Sequence, residues 1–447
     1  MRRILVGMLF VTGCLTAQNS LAQGAQSPAG TAGPGLTGSW LVTVDFFGTP
    51  LQIPLELTQQ GNKLIGSIGG DKLEGTVESR SVHFVSDDGQ GSKTDFTATM
   101  DLNGTMSGTI VSVDAADGKS DTHKFTAKRV AERVTSAPKM HEFTPTVFYR
   151  QFSPNNAPVL TVSPGDTIHT TTVDAGGKDE KGVSRVLGGN PETGPFYVEG
   201  AAPGDTLVVH IVKLQLNRDW AGSDDGIVDR GVNSDLAVKI KDNRNSVRWH
   251  LDTTRGVATP EKPGEHMARY SIPLRPMLGC VATSPSFAQA PPGTGDSGGF
   301  GGNMDFNEIV DGATIYLPVR VPGAMLYFGD GHAAQGDGEL NGNALETSMD
   351  VTISVDVIAK KRIGGPRVES ATHIMAMGLE GSIDEAFREA TSSMAQWLMD
   401  DYKLTPSEVA QVLGTSSEYR VSEVADRNAG VVIKISKERL AGLGAGK

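Results

Sequence analysis

Apolar residues alternate with polar ones in short runs along much of this chain, and glycine or proline turns cut the runs apart. Trp40, Val42 and Val44 alternate in this way, as do Leu51, Ile53, Leu55 and Leu57. Asn103-Gly104 separates two further runs, 94–102 and 105–113. A period of two sends successive side chains to opposite faces of a strand, and Asn-Gly is a hairpin dipeptide. With 55 glycines and 6% aromatic residues, the chain is committed to many turns, which predicts a β-rich protein. Its 447 residues allow two or three domains and a large core.

The amino terminus reads as a secretory leader over residues 1–22. Arg2 and Arg3 form the basic end, Ile4 to Val11 an apolar run, and Ser20-Leu21-Ala22 the small-x-small cleavage pattern. Val11-Thr12-Gly13-Cys14 is a rival signal, resembling a lipobox that would place a lipid anchor on Cys14. Either reading predicts an exported protein, periplasmic or secreted. The apolar run is too short to cross a bilayer, and no other run is long enough. Cleavage at Ala22 leaves Cys280 as the one cysteine, so the mature chain has no intrachain disulfide. The net charge of −12, made more negative by loss of the leader arginines, argues against nucleic acid as a partner.

Residues 23–36 are rich in Gly, Ala, Ser and Pro and read as a flexible linker. Residues 37–130 carry about eight alternating runs at the spacing of a small β-barrel or sandwich, with a faint calycin-like pattern and no catalytic grouping. Residues 131–139 form a second linker, and 140–447 the largest unit. There, Pro164-Gly165-Asp166-Thr167 and Pro203-Gly204-Asp205-Thr206 each precede an alternating strand, which hints at a repeated β-unit. The C-terminal part turns α+β. Ser382 and Glu385 spell a capping box, and Ile383, Phe387, Ala390, Met394 and Trp397 follow at helical spacing. Thr405-Pro406-Ser407-Glu408 opens a shorter helix, and closing strands are expected over 419–426 and 430–435. The fold expected is therefore mainly β with a C-terminal α+β part.

The stretch from Gly329 to Glu346 carries Asp330, His332, Asp337, Glu339 and Glu346, separated by glycines and without Lys or Arg. Between Phe287 and Asp350, nine carboxylates share the span with Arg320 alone. Asp-Gly and Asn-Gly pairs also make ordinary turns, so spacing alone leaves a turn-rich loop as an alternative to a site. A cation with oxygen and imidazole ligands would hold such a group together. The stretch is neither an EF-hand loop nor a His-Glu-x-x-His helix. Gly295-Asp-Ser-Gly-Gly299 spells a serine-protease signature without its upstream histidine motif. Cys280 lacks the Glu and Lys company of a nitrilase-type nucleophile, and residues 298–302 lack the Gly-Lys of a phosphate loop.

From about His141 onward the chain resembles the acetamidase/formamidase family. The segments that carry the resemblance are Val162-Ser-Pro-Gly-Asp-Thr-Ile-His169, Val173-Asp-Ala-Gly176, Thr193-Gly-Pro-Phe-Tyr-Val-Glu-Gly200 and Ala202-Pro-Gly-Asp205. Gly301-Gly-Asn-Met-Asp305, Asp311-Gly-Ala-Thr-Ile-Tyr-Leu-Pro318, the run from Gly329 to Glu339, and Pro366-Arg-Val-Glu-Ser-Ala-Thr-His373 follow in order. Residues 1–130 lie outside it. One departure is the run Ser297-Gly-Gly-Phe-Gly-Gly302, which stands where the family has a shorter stretch, often with a histidine.

The resemblance implies a β-rich, homo-oligomeric enzyme that hydrolyses a small linear amide of the formamide or acetamide type to a carboxylate and ammonia. It also implies a divalent metal ion, zinc or calcium. The ligands expected are His169, Asp174, Asp330 and His332, with Glu346 as a further candidate; Asp330 and His332 share a face if they lie on a strand. Glu199, in Phe-Tyr-Val-Glu-Gly, is the expected acid or base, because a carboxyl among apolar residues has its pKa raised. Asp337 and Glu339 are alternatives. A non-catalytic binding protein, stabilised by a metal on an amidase scaffold, is the competing reading.

Overall fold

The computed structural model describes residues 35–113, 118–130, 137–240 and 245–443. The expected leader with its expected cleavage at Ala22, Cys14, and most of the two expected linkers lie outside the described residues.

Eight antiparallel strands, from Gly38–Phe46 to Ser120–Arg129, close into a barrel. The first strand pairs with the last, Trp40 opposite Arg129 and Val44 opposite Phe125, so neither edge is left open. The alternation seen in the sequence sends Trp40, Val42, Leu55, Leu64, Phe84, Phe96, Met106 and Phe125 inward. Phe84 stacks on Phe96 at 4.6 Å and Phe125 meets Phe96 edge-on. The barrel interior is thus a packed core. The Asn103-Gly104 hairpin is tied by Asp101, whose Oδ1 accepts from the backbone N–H of Asn103 and Thr105.

The remaining chain builds two large sheets that face each other. One has nine strands, in the order Glu418–Val421, Ala429–Ser436, His373–Glu380, Arg367–Glu369, Thr314–Pro318, Thr206–Leu216, Met349–Ile358, Thr167–Thr171, Met140–Glu142. The other is centred on Glu192–Val198, Leu326–His332 and Met277–Ala282. Leu207, Val209, Ile211, Ile353 and Val355 of the first sheet pack with Phe196, Val198, Leu278, Val281, Leu326 and Phe328 of the second. Strands buried on both faces read as continuous apolar runs, and all six residues of Met277–Ala282 are buried.

The two Pro-Gly-Asp-Thr segments adopt one turn twice. Asp166 Oδ2 accepts from Ser163 N and Asp205 Oδ2 from Ala202 N. Gly165 and Gly204 have φ of 93° and 94°, the left-handed region that glycine enters freely. The strands that follow flank Met349–Ile358 on its two sides.

Helix Ile383–Tyr402 lies on the outer face of the nine-stranded sheet. Strand His373–Glu380 divides its side chains accordingly: Met375, Met377 and Leu379 enter the core between the sheets, Ile374 and Ala376 meet the helix. The helix buries Ala386, Ala390, Met394, Trp397 and Leu398, whereas Ile383 and Phe387 are each 45% exposed. The apolar stripe expected from Ile383 therefore begins one turn later, and Phe387 instead stacks on Tyr419. Ser382 caps the helix by accepting from Glu385 N, but Glu385 takes the Ser382 hydroxyl proton instead of a backbone N–H. The reciprocal box is complete at Thr405 and Glu408. Residues 422–428 are a loop between strands Glu418–Val421 and Ala429–Ser436, where a strand through 426 was expected.

Gly378 belongs to the helix-facing set, and a Cβ there would stand 1.9 Å from the carbonyl oxygen of Ala386. Backbone on backbone leaves nothing flexible to yield. Gly378→Ala is expected to lower stability by about 3 kcal/mol or more, read as a reduced urea midpoint.

Candidate functional site

Strand Leu326–His332 places Asp330 and His332 side by side, and both are buried. His332 Nε2 lies 3.3 Å from Asp330 Oδ2, 3.1 Å from Glu346 Oε1 and 3.9 Å from Asp305 Oδ1. Glu346 is brought to the strand by an antiparallel bridge to His332, and Thr347 N donates to Gly331 O. Glu339, on the far side, takes φ of 46° and joins Asp305 and His332 as a second group of three around the same imidazole.

Glycines make this crowding sterically feasible. A Cβ at Gly279 would stand 2.5 Å from both Asp305 Oδ1 and Asp330 Oδ2, and one at Gly329 would stand 2.4 Å from Glu192 Oε2. The carboxylates occupy the space that side chains would fill. Asp330 itself has φ of 50°, unusual outside glycine, which Asp tolerates better than most residues.

The hydrogen bonds around His332 settle its tautomer. Gln335 Nε2 donates to the carbonyl of Asp305 at 2.5 Å, so Gln335 Oε1 is left to accept, at 2.9 Å, from His332 Nδ1–H. In the neutral ring this leaves the Nε2 lone pair facing the carboxylates. Among the described residues Nε2 makes no aligned hydrogen bond, and neither do Asp305 Oδ1, Asp330 Oδ1 and Glu346 Oε2, all of them buried. Buried polar atoms are normally partnered. Spacings of 3.1 and 3.3 Å match the about 3.3 Å between neighbouring ligand atoms of a tetrahedral centre with ~2.0 Å bonds. These residues therefore fit a divalent metal ion.

Electrostatics agree. Burial works against a charge on His332, but the Glu346 and Asp330 carboxylates outweigh it and hold its pKa well above the ordinary imidazole value. Burial raises Glu346 to about 7, with His332 opposing and Asp330 adding to the shift, and raises Glu339 to about 8. Asp305 is driven well above the usual carboxylate range, first by burial and then by Glu339 and Asp330. Without a cation, protons must neutralise part of this cluster.

A polar pocket of about 300 Å³ opens beside the cluster, lined by Asp224, Arg230, Asn341, Asn343 and Asp426 among others. Asp426 joins the two: Asn303 Nδ2 donates at 2.6 Å to both Asp426 Oδ2 and Asp305 Oδ2. Burial lifts Asp426 to about 6, with the Asn303 hydrogen bond opposing and Asp330 adding. Glu423 behind it is raised to about 8, by burial and then Asp426.

The expected residues divide as follows. Asp330, His332, Glu346 and Glu339 are brought together, Glu339 in a group with Asp305 and His332 that could hold a metal ion. His169 is not among them. Ile168 and Thr170 face the core, so His169 faces outward, where its Nδ1 pairs with Glu142 at 2.6 Å. Asp174 is held by Arg218 at 2.8 Å and by Lys178 N, and reaches the site only through Arg218, which also donates to the Glu346 carbonyl. Glu199 lies past the end of strand Glu192–Val198, exposed, and accepts from Ser163. Asp337 is exposed in a two-point pair with Arg420 and a bond from Asn307.

Asp305, Glu192, Asp426 and Glu423 were missed. Asp305 closes the segment Gly301-Gly-Asn-Met-Asp305, and that was its only signal. Glu192 sits at the opposite end of the strand from Glu199, fully buried, with neither oxygen partnered. Burial and then the Asp330 carboxylate push its pKa well above the ordinary carboxylate value. Cys280, next to Glu192, is buried, and burial raises its thiol well above the ordinary value, so it carries no thiolate.

A sequence model described as the Acetamidase/Formamidase family matches residues 292–420, the span that contains Asp305, Asp330, His332, Glu339 and Glu346. A recombinant predicted acetamidase/formamidase from Thermoanaerobacter tengcongensis is 26% identical and superposes with a TM-score of 0.60, over 70% of this chain and 100% of that one. Over these residues the chain matches the acetamidase/formamidase family, and its fold is that of solved relatives of this kind. The formamidase of Methylophilus methylotrophus is 24% identical over 300 residues, 52% of this chain and 72% of that protein. An acetamidase of Mycolicibacterium smegmatis is 46% identical over 59 residues, and that match spans 14% of its length. The N-terminal barrel is an addition to the family's β-rich domain. Asp426 and Glu192 fall outside the residues matched by the family model.

Arg218 is the support whose removal the site is expected to feel most. It is buried, donates to Asp174, Thr347 and the carbonyls of Trp220 and Glu346, and stacks at 3.5 Å on Trp220. Asp174→Asn strands this guanidinium without its counter-ion. A loss of about 3 to 5 kcal/mol is expected, measured by chemical denaturation.

Proposed function

We propose that the protein hydrolyses the C–N bond of a small linear amide, giving a carboxylate and ammonia, with a divalent cation held by His332, Asp330 and Glu346. Asp305 and Glu339 complete or neighbour that set. The observation that carries the reading is the buried, hydrogen-bond-free approach of His332 Nε2 to carboxylates on three separate segments. The match to the acetamidase/formamidase model and the similarity to named formamidases and acetamidases supply the amide. One imidazole with two or more carboxylates favours zinc over calcium, which prefers six to eight oxygens.

A cation bound here supplies a water of lowered pKa and polarises the amide carbonyl. The chain does the rest. Gln335 fixes His332 in the tautomer that presents Nε2. Asn303 holds Asp426 toward the cluster, at the boundary with the 300 Å³ pocket that would receive the amide. Asp426 takes the proton of the attacking water and returns it to the leaving nitrogen as the C–N bond breaks. The proposal extends to export on the strength of residues 1–22, and to a homo-oligomer by family resemblance.

Ammonia release from formamide, acetamide and propionamide by metal-loaded protein is expected to disappear on chelation and return with zinc. Failure of every amide with metal-loaded protein would leave the non-catalytic binding reading in its place. With Asp426 acting as a base, activity falls as pH drops through about 6, where its carboxylate takes up a proton. Asp426→Asn is expected to lower kcat by about 10²- to 10⁴-fold and to abolish that acid limb, while metal content by elemental analysis stays unchanged.

A further inference from the structure

A second pocket, of about 260 Å³, lies on the other side of the nine-stranded sheet, beneath the C-terminal half of helix Ile383–Tyr402. Tyr316 and Arg367 come from the sheet, Trp397 and Tyr402 from the helix, and Lys361 and Ile363 from the loop after Met349–Ile358. It shares no residue with the carboxylate cluster.

Arg367 is the unusual member. It is 2% exposed, yet among the described residues its guanidinium makes a single long hydrogen bond, from Nη2 to the Ser393 carbonyl at 3.4 Å. Its Nε has no partner among them. The guanidinium carbon stands 4.9 Å from the Trp397 ring. An arginine placed only to steady the helix end would spend its donors on helix carbonyls. The two acids of the pocket are already matched elsewhere. Glu369 accepts from Tyr316 at 2.8 Å and pairs with Lys437 at 2.6 Å. Both oxygens of Asp401 take Lys361 Nζ at 2.6 Å. Among the described residues Arg367 is thus a buried cation with no direct counter-ion, an arrangement that is costly unless something pairs with it.

We propose that this pocket binds a small aliphatic carboxylate, seated on the Arg367 guanidinium with its carbon chain against Trp397, Ile363 and Ile358. The planar fork of arginine matches a carboxylate. The walls are aromatic and branched aliphatic, as a short hydrocarbon tail requires. Arg367 supplies one positive charge in a planar fork, which a monoanionic carboxylate matches better than a phosphate dianion. This inference stands apart from the amidase reading, because neither the pocket nor its residues take part in hydrolysis.

Calorimetric titration of the full chain with propionate, propionamide and phosphate tests it. Propionate is expected to bind at least about tenfold tighter than propionamide, and Arg367→Gln to erase that preference. Since loss of a buried arginine can disturb folding, Ile358→Trp serves as the second variant. Ile358 lines the pocket and is 38% exposed, so a larger ring there takes up ligand space without disturbing the buried core. Weakened propionate binding with an unchanged melting temperature is expected from Ile358→Trp. Equal affinity for propionate and propionamide overturns the proposal, as does undiminished propionate binding by the two variants, which would assign the ligand to the carboxylate cluster. Phosphate binding tighter than propionate overturns the choice of a carboxylate.

Discussion

One imidazole, stripped of water, faces carboxylates from four places in the chain. Mutual repulsion among Asp305, Asp330, Glu339 and Glu346 would scatter them in solution. They stay together because each is carried by backbone that has its own reasons to be where it is. Asp330 and His332 ride a fully buried strand. Glu346 is bridged to that strand, and Glu339 accepts from Ala344 N within its own loop. The facing sheets supply the apolar core that offsets the electrostatic cost. A polar cluster of this kind is stable only when a cation or protons balance it.

Around the cluster the support is graded. Gln335 orients the imidazole, Asn303 ties Asp305 to Asp426, and Arg218 ties Asp174 to the backbone of Glu346. Gly279 and Gly329 matter by what they lack, since the space their side chains would fill is taken by carboxylate oxygens. The polar pocket is lined by Asp426, which Asn303 links to Asp305 of the buried group. The N-terminal barrel stands outside this design. It touches the larger unit through Lys360 and Glu56, at 2.9 Å, and its interior is filled.

Most of the fold was legible because it rests on local rules. The barrel strands follow a period of two, the paired Pro-Gly-Asp-Thr turns repeat one hydrogen-bond pattern, and Ser382 and Thr405 mark helix starts. Half of the site was legible for a similar reason. Asp330 and His332 are two residues apart on a strand, so they share a face wherever the strand goes. His169 obeyed the same rule with the opposite result, since its neighbours Ile168 and Thr170 claimed the inner face. Glu199 and Glu192 sit at the two ends of one strand, and nothing in their neighbours told which end is buried. The apolar stripe of helix Ile383–Tyr402 was misplaced by one turn because Phe387 found a partner in Tyr419.

Alone, the amino-acid order determined which segments are strands, where turns fall, and that glycine-spaced acids near His332 lack basic company. These are properties of spacing and of backbone freedom, and they need no knowledge of distant residues. Tertiary structure decided which acids converge. Asp305, Asp426 and Glu192 reach the centre from segments far apart in the chain, whereas Asp337 and Asp174 are claimed by Arg420 and Arg218. The physical reason is that a carboxylate's role depends on whether water, a cation or another acid lies beside it, and only the packed chain sets that neighbour.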